Sequence, residues 1–338
     1  MSSPMVSGIL FCRRYSRFFF VLLVAALLAF PLLFPEDPYI MRVAINVILY
    51  SMLATSLNMI NGYSGQFSIG HAAFYCIGAY TAAILSTRLG WGFWQCLPVS
   101  GLMAAFVSFF LSVPTARLKG VFLALCTIGF SEIVRLIALN WVSLTRGPMG
   151  MPGIPSPSVF GYEMLDNREL YYLILFLCSV CMFTCSRVLK SRLGRAWMAI
   201  REDELAARAM GIPTQRYKMY NFAFATFWAG VAGCFYAFMA NFVSSDSFSN
   251  EESFAIISIL LVGGQGFMAG GPVGALILTI LPETIRFLAE YRQIVFGLAI
   301  LFTMHFAPRG LVGKFVEWIA RLDREAKDID MSIGGGDI

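Results

Sequence analysis

Long apolar runs separated by short polar turns dominate the chain. A membrane-spanning helix needs about 20 mostly apolar residues, and runs of suitable length occur at ten places. The predicted spans cover residues 18–34, 43–60, 67–87, 97–115, 120–140, 170–186, 219–240, 254–267, 274–290 and 293–307. The eighth and tenth runs are short, and short segments form re-entrant or half-helices where protein or a water-filled cavity surrounds them. The pattern predicts an all-α polytopic membrane protein with about 8–10 transmembrane helices.

Composition agrees with this pattern. The chain is 58% hydrophobic and 13% charged, with a mean hydropathy of +0.71, whereas soluble domains carry about 25% charged residues. The first apolar run follows Arg13, Arg14 and Arg17 as in a signal peptide, yet no small-residue cleavage site ends it. We therefore expect this run to remain as the first span.

The basic residues predict the orientation of the chain. Lys and Arg near the ends of spans remain on the cytoplasmic side. With ten spans and a cytoplasmic N-terminus, 18 of the 25 basic residues fall inside and five outside. Both termini are therefore predicted to be cytoplasmic, and the net charge of +5 reflects membrane topology rather than nucleic-acid binding.

One long charged segment separates the sixth and seventh spans. Residues 187–218 carry eight Lys or Arg residues and three acids, a pattern typical of a cytoplasmic docking element rather than a flexible linker. We therefore divide the chain into a transmembrane domain of residues 1–315, which contains this cytoplasmic segment, and a short cytoplasmic tail of residues 316–338.

Catalytic and metal-binding patterns are sparse. Two histidines are present, and no Ser/His/Asp set, HExxH motif or phosphate-binding GxxxxGK[ST] motif occurs. Cys178, Cys181 and Cys185 share a helical face, but no second ligand pair or nearby His completes a metal site. We predict a protein that is not an enzyme and needs no metal or cofactor.

A glycine-rich polar stretch follows the second span, and two interpretations remain open. Small residues such as Gly70, Ala73, Gly78 and Ala82 let helices pack closely. Alternatively, the stretch is a broken helix that lines a solute pathway. The candidate pathway residues are Gly62, Tyr63, Ser64, Gly65, Gln66, Ser68, Gly70 and His71. Because no carboxylate neighbours it in sequence, His71 is favoured as a capping or packing residue over a proton carrier.

Two acid–base pairs lie inside predicted spans. Glu132 with Arg135 and Glu283 with Arg286 have the i, i+3 spacing that allows neutralisation on one helical face. Charges within a membrane are costly, so each pair is expected to face the bundle interior or water. We favour ion pairs that fix helix rotation, and a direct role along the pathway is the alternative.

Six sequence blocks in order resemble a known family over nearly the whole chain. They are NGYSGQFSIGHAAFYCIGAYTAAIL (61–85), LCTIGFSEIVRLIALN (125–140), TRGPMGMPGIP (145–155), LGRAWMAIREDELAARAMGIPTQRYK (193–218), GGQGFMAGGPVGA (263–275) and FAPRGLVG (306–313). The chain resembles the permease subunit of a bacterial branched-chain amino acid ABC transporter, on the side of the longer of the two paired permeases. The family pattern TGGxxGLxGIP is replaced by TRGPMGMPGIP, and its leucine-proline-arginine by Ala307, Pro308 and Arg309. The first departure falls on an outer loop and bears on the substrate more than on the fold.

The resemblance implies a role for the charged segment. In such importers a short cytoplasmic coupling helix docks in a groove of the ATP-binding subunit. The implied coupling residues are Gly194, at the turn into the helix; Ala199, Ile200, Leu205, Ala206 and Ala209, as an apolar face; Arg195, Arg201, Glu202, Asp203 and Glu204, as a polar rim; and Gly211, where the helix ends before Pro213. An amphipathic helix lying on lipid is the alternative.

The resemblance also implies partners, location and function. The partners would be a second homologous permease, two ATP-binding subunits, an extracytoplasmic solute-binding protein and the membrane lipid. The expected function is translocation of branched-chain amino acids across the bacterial inner membrane, with ATP hydrolysed by separate subunits. Relatives that carry urea, short amides or aromatic acids share the motifs, so these solutes remain alternatives. A stand-alone ion-coupled transporter is a second alternative, but it would need unpaired intramembrane carboxylates or a proton relay.

Overall fold

The computed structural model describes residues 25–32, 37–118, 120–159, 162–284 and 292–321, which are almost entirely helical. The helices are α1 at 25–32, α2 Pro38–Asn58, α3 His71–Leu89, α4 Phe93–Thr115, α5 Val121–Asn140, α6 Asn167–Leu189, α7 Arg192–Glu202, α8 Glu204–Ala209, α9 Thr214–Ala240, α10 Asn250–Gly263, α11 Gly270–Thr284, α12 Arg292–Phe306 and α13 at 310–321. A π-helical turn, Met59–Tyr63, extends α2. The all-α prediction is confirmed.

The described helices follow the predicted spans closely. Within the described ranges, six apolar stretches are long enough to cross a membrane: Pro38–Tyr63, Phe93–Thr115, Val121–Asn140, Asn167–Leu189, Thr214–Ala240 and Gln293–Arg321. Helix α3, with 19 residues, also reaches the length that a span needs. Helix α10 has 14 residues, and at about 1.5 Å per residue it is shorter than the hydrocarbon core, as predicted for the eighth span. About half of the predicted first span lies outside the described residues, and α13 runs through the predicted domain boundary between residues 315 and 316.

Helices α2, α3 and α9 form the centre of the bundle. Their side chains make up about half of the main core cluster, in which Phe74, Phe222 and Phe235 are fully buried. Helix α4 packs against α9 and α3, α6 and α11 pack against α2, and α10 packs against α11. Many large apolar side chains of α4, α5 and α12 face outward, as expected for helices that contact lipid or another subunit.

Glycines permit the closest helix contact in this centre. A Cβ atom placed on Gly78 of α3 would lie 2.2 Å from the carbonyl oxygen of Gly230 in α9. That separation is far below van der Waals contact, so the two backbones can approach this closely only because Gly78 lacks a side chain. The close-packing interpretation of the stretch that includes Gly78 is therefore confirmed for this helix pair.

The connections gather at two opposite ends of the bundle. At one end, which we call the coupling end after the role predicted for the charged segment, residues 59–70, 192–213, 264–269 and 307–310 meet. At the other, the connection 141–166 folds against residues 241–248. There Met151–Pro152 (β1) pairs antiparallel with Phe242–Val243 (β4), and Ser158–Val159 (β2) pairs with Tyr162–Glu163 (β3). Short helical turns at Val142–Thr145, Gly147–Met149 and Ser245–Phe248 complete this end.

Candidate functional site

The segment between α2 and α3 is a broken helix whose backbone is held by polar side chains. After the π-helical turn, residues 64–70 run without regular structure until α3 begins at His71. The amide of Asn61 donates to the Ser68 carbonyl oxygen at 3.0 Å, and the Ser68 backbone N–H donates to Asn61 Oδ1 at 3.1 Å. Asn221 of α9 donates to the Met59 carbonyl oxygen at 2.9 Å. These contacts satisfy backbone groups that the break leaves without helical partners.

Asn58 fixes the broken helix to the glycine-rich turn between α10 and α11. Its amide nitrogen donates to the Phe267 carbonyl oxygen at 2.8 Å, and its Oδ1 accepts from the Gly266 backbone N–H at 2.9 Å. This pair of hydrogen bonds spans more than 200 residues of sequence. Asn58 was not among the predicted site residues, because a lone Asn at a helix end carries no sign of its distant partner.

Most of the predicted pathway residues point into the protein. Gly62, Ser64, Gln66, Ser68, Gly70 and His71 are buried, Tyr63 is half-buried, and Gly65 is exposed. In this conformation their contacts hold the broken helix in place. Ser64, Gly65 and Gln66 also line a cavity of about 210 Å³ together with Ile200, Arg201 and Lys218. A role in translocation remains a prediction for the set, and its strongest candidates are these three cavity residues.

His71 packs in the core at the start of α3. Its Nε2 lies 2.8 Å from Ser56 Oγ, and the Ser56 hydroxyl lies 2.8 Å from the Leu53 carbonyl oxygen. Because a hydroxyl has one proton to donate, a Ser56 that donates to Leu53 accepts from Nε2–H. That assignment leaves Nδ1 buried with no hydrogen-bond partner among the described residues. The geometry favours the packing interpretation of His71.

The charged segment forms two short helices rather than the single helix expected between Gly194 and Gly211. Helix α7 ends at Glu202, and α8 begins at Glu204. Asp203 lies between them and caps α8, since its carboxylate accepts from the backbone N–H groups of Leu205 at 2.7 Å and Ala206 at 3.1 Å. The assignment of Asp203 to a polar docking rim is therefore incomplete, because the side chain has a structural role within the segment. Helix α8 ends before Gly211, as predicted, and Gly211 has a φ of 84°.

Two further predicted residues of this segment lie against the bundle. Gly194 was expected to permit the turn into the helix. It lies in the first turn of α7, where a Cβ atom would come 2.3 Å from Leu189 Cα, so its missing side chain allows the close approach of α7 to the end of α6. Ile200 was expected on an exposed apolar face, but it is buried against the bundle, as is Trp197.

An exposed apolar surface does exist on the segment, with different members. Ala206 and Ala209 are exposed, Ala199 is half-buried, and Leu205 is exposed as predicted. Leu193, Met198 and Met210 are also exposed, although they were not among the residues predicted from the sequence. Arg195, Glu202 and Arg208 are exposed beside them, so the surface combines apolar area with a charged border. After the role predicted for the segment, we call the exposed residues Leu193, Met198, Leu205, Ala206, Ala209 and Met210 the docking face.

Arg201 joins the charged segment to the broken helix. Its Nη1 donates to the Gly62 carbonyl oxygen at 2.5 Å. Gly65 has a φ of 68°, and a Cβ atom there would lie 3.1 Å from Arg201 Cγ. The two sets of residues that the sequence separated by more than 130 positions therefore form one site, and Arg201 belongs to both.

A buried ion pair makes a second connection. Lys218 Nζ of α9 lies 2.9 Å from Glu204 Oε1 of α8, and the two side chains are only 7% and 10% exposed. Arg208 reaches the same carboxylate at 3.4 Å from the exposed side. Glu204 was predicted as part of a docking rim, but most of its surface is covered by the protein itself.

The intramembrane ion pairs lie away from this site. Arg135 Nε donates to both carboxylate oxygens of Glu132 at 3.1 Å, which matches the predicted i, i+3 contact. Asn250 of α10 donates to Glu132 Oε2 at 3.1 Å, so the pair also binds a neighbouring helix. Glu283 accepts a hydrogen bond from the Tyr39 hydroxyl, and its predicted partner Arg286 lies outside the described residues.

A bundle of lipid-length apolar helices, with a broken helix and a charged connection joined at one end, is the architecture of a membrane transport permease. The family model described as branched-chain amino acid transport system / permease component matches residues 39–304, and the chain belongs to this family. This membership confirms the resemblance inferred from the six sequence blocks. The family comprises transport permeases rather than enzymes.

Individual relatives agree with this assignment. The chain is 36% identical over 319 residues to the high-affinity branched-chain amino acid transport system permease protein LivM of Escherichia coli K12, covering 88% of this chain and 75% of the relative. It is 24% identical over 295 residues to LivH of the same organism, covering 78% and 91%. It is also 28% identical over 212 residues to the autoinducer 2 import system permease protein LsrC of Enterobacter sp. 638, covering 58% and 61%. No solved structure gives a significant match.

Proposed function

We propose that this chain forms half of the translocation pore of an ATP-binding-cassette importer that carries branched-chain amino acids across the bacterial inner membrane. Its partners would be a second, homologous permease, two ATP-binding subunits and an extracytoplasmic binding protein. The similarity to both LivM and LivH supports a pair of homologous permeases. The higher identity to LivM supports assignment to the LivM side of that pair.

The observation that carries the proposal is the contact between Arg201 and the Gly62 carbonyl oxygen. A permease driven by a separate ATPase needs a rigid connection from its docking surface to the helices that open and close the pathway. Arg201 and the Glu204–Lys218 pair make two such connections from the docking face. Movement of α7 and α8 by a closing ATPase would therefore be transmitted to the broken helix and to α9.

A coupled cycle then follows from a two-state equilibrium. ATP binding and hydrolysis in the partner subunits favour one arrangement of α7 and α8 over the other, and the pore alternates because its helices move with them. The permease itself supplies no catalytic group. Its contribution is to bind the ATPase through the docking face and to convert that contact into displacement of residues 59–70.

The proposed cargo requires its own test, because membership of the family does not fix the solute, as the relative named for autoinducer 2 import illustrates. Proteoliposomes containing the complete importer should accumulate leucine, isoleucine or valine when ATP and the binding protein are supplied. Urea, acetamide and phenylalanine serve as competing cargoes. Accumulation of one of these in preference to leucine would reassign the cargo. Uptake driven by a sodium or proton gradient without the ATPase would instead support a stand-alone secondary transporter.

The coupling role is tested by Arg201→Gln, which removes the charged donor to Gly62. We expect uptake per ATP hydrolysed to fall by about tenfold, as loss of a charge-assisted hydrogen bond can produce, while ATPase subunits still co-purify. Arg216→Gln is the matched control, because Arg216 is an exposed arginine at the start of α9 with no hydrogen bond or ion pair to the described residues 59–70. Equal ratios of uptake to hydrolysis in the two variants would refute the coupling role of Arg201.

A further inference from the structure

A second polar cavity lies at the end of the bundle opposite Arg201. It has a volume of about 370 Å³, which is within the range of small-molecule sites. Helices α2, α3, α9, α10 and α11 all contribute to its wall. The lining side chains that carry the argument are Asn46, Tyr75, Tyr236, Glu252, Thr279 and Glu283.

The described residues that line the cavity include two acids and no basic side chain. Glu252 and Glu283 bring their carboxylates to its wall. Tyr75 and Tyr236 add aromatic rings whose centroids are 5.5 Å apart, and aromatic faces attract cations. Carboxylates beside tyrosine rings favour a ligand that carries a primary ammonium group, since such a group donates several charge-assisted hydrogen bonds.

Thr279 gives independent evidence for a ligand. Its side chain lines the cavity and is only 7% exposed, yet its hydroxyl has no hydrogen-bond partner among the described residues. Buried hydroxyls without partners are uncommon because desolvation is costly. A polar ligand in the cavity would supply the missing partner.

We infer that this cavity binds an α-amino acid during import, with Glu252 and Glu283 receiving its ammonium group and the Thr279 hydroxyl and Asn46 amide donating to its carboxylate. The inference rests on the proposed function and adds a recognition site within the permease itself. Asn46 and Thr279 are suited to the carboxylate because each has a donor. The cavity is also large enough for an aliphatic side chain.

The carboxylate of Glu252 could also serve to stabilise α10 and not to bind a ligand. Glu251 and Glu252 both lie in the first turn of α10, where carboxylates stabilise a helix through its dipole. Glu252 lines the cavity, whereas Glu251 is exposed and is not part of the lining. The two residues therefore form a matched pair for substitution, since both lie in the first turn of α10 and only Glu252 lines the cavity.

The first experiment measures leucine uptake by the complete reconstituted importer over a range of leucine concentrations. Glu252→Gln should lower uptake at limiting leucine by about tenfold, because it removes a charged acceptor. Glu251→Gln should retain uptake within about twofold, because the Glu251 carboxylate only stabilises the N-terminal end of α10. Equal losses in the two variants would overturn the inference in favour of helix capping.

The second experiment uses Thr279→Val, which removes the hydroxyl and keeps the branched shape. If Thr279 binds the ligand, uptake should fall while the thermal unfolding temperature of the purified complex stays level or rises, because an unpaired buried hydroxyl has been removed. Unchanged uptake by this variant would overturn the assignment of Thr279 to the ligand.

The third experiment identifies the ligand chemistry in the full complex. Ser247, which also lines the cavity, is replaced in Ser247→Cys and allowed to react with a water-soluble thiol reagent. Leucine should slow the reaction, whereas 4-methylpentanoate, which lacks the ammonium group, should not. Equal protection by 4-methylpentanoate, or protection by sodium chloride alone, would overturn the ammonium assignment.

The results also separate this inference from the proposed function. If the wild-type importer fails to accumulate any branched-chain amino acid, the proposed function fails before the variants are compared. If the wild-type importer transports leucine and Glu252→Gln behaves as Glu251→Gln does, the importer assignment survives and the cavity assignment fails.

Discussion

At the scale of single residues, the coupling end depends on one carboxylate with two basic partners. Glu204 contacts Lys218 from the protein interior and Arg208 from the exposed side, where Arg208 is 58% exposed. An exposed ion pair adds little to the stability of the fold because water competes for the charged groups. A buried charge that loses its partner remains desolvated, so removing the partner of a buried charge lowers stability much more. Substitution of Lys218 should therefore lower stability much more than substitution of Arg208.

This difference gives a direct stability prediction. Lys218→Met should lower the free energy of unfolding by about 3–5 kcal/mol, because it leaves Glu204 desolvated without its nearest cation. Arg208→Met should change it by about 1 kcal/mol or less. Thermal unfolding of the purified permease measures both, and Glu204→Gln combined with Lys218→Met should recover much of the loss. Equal destabilisation by the two single variants would show that burial does not govern the pair.

At the scale of elements, glycine has different roles at different positions of the bundle. Gly78 lies where α3 meets α9, and its missing side chain allows backbone contact. Gly129 lies within α5, and a Cβ atom built there meets nothing within 4 Å. At Gly65 the positive φ and the nearby Arg201 side chain both disfavour a larger residue. A bulky substitution at Gly65 would therefore disturb the coupling contact, whether or not the residue borders a pathway.

Alanine substitutions at the two helical glycines should have opposite effects. Gly78→Ala should destabilise the protein by about 1–3 kcal/mol or more, because α3 and α9 must separate to admit the methyl group. Gly129→Ala should be neutral or stabilise it by up to about 1 kcal/mol, because alanine favours the helical state. Thermal unfolding in the same detergent compares them. A stable Gly78→Ala variant would mean that the helices are not held at this distance.

At the scale of the whole molecule, helix positions were predictable and helix partners were not. Apolar runs located α4, α5 and α6 to within a few residues, because burial in lipid requires a continuous apolar stretch. The contacts of Arg201 with Gly62 and of Lys218 with Glu204 depend on how distant segments meet, and neither periodicity nor composition carries that information. Similarly, the break at Asp203 is a local capping effect that a helix-like pattern across residues 194–211 conceals.

The basic residues predict which end of the bundle faces the cytoplasm. Arg195, Arg201 and Arg208 belong to the coupling end, and basic residues near spans stay cytoplasmic. Leu205, which is 69% exposed, lies at this end, whereas Leu165, which is 75% exposed, lies at the opposite end. A membrane-impermeant maleimide added to intact cells should therefore label Leu165→Cys and spare Leu205→Cys, and inside-out vesicles should reverse the result. The unsubstituted chain gives the background from native cysteines. Labelling of Leu205→Cys from outside would invert the predicted topology, and it would place the docking face on the side of the membrane where no ATPase can bind it.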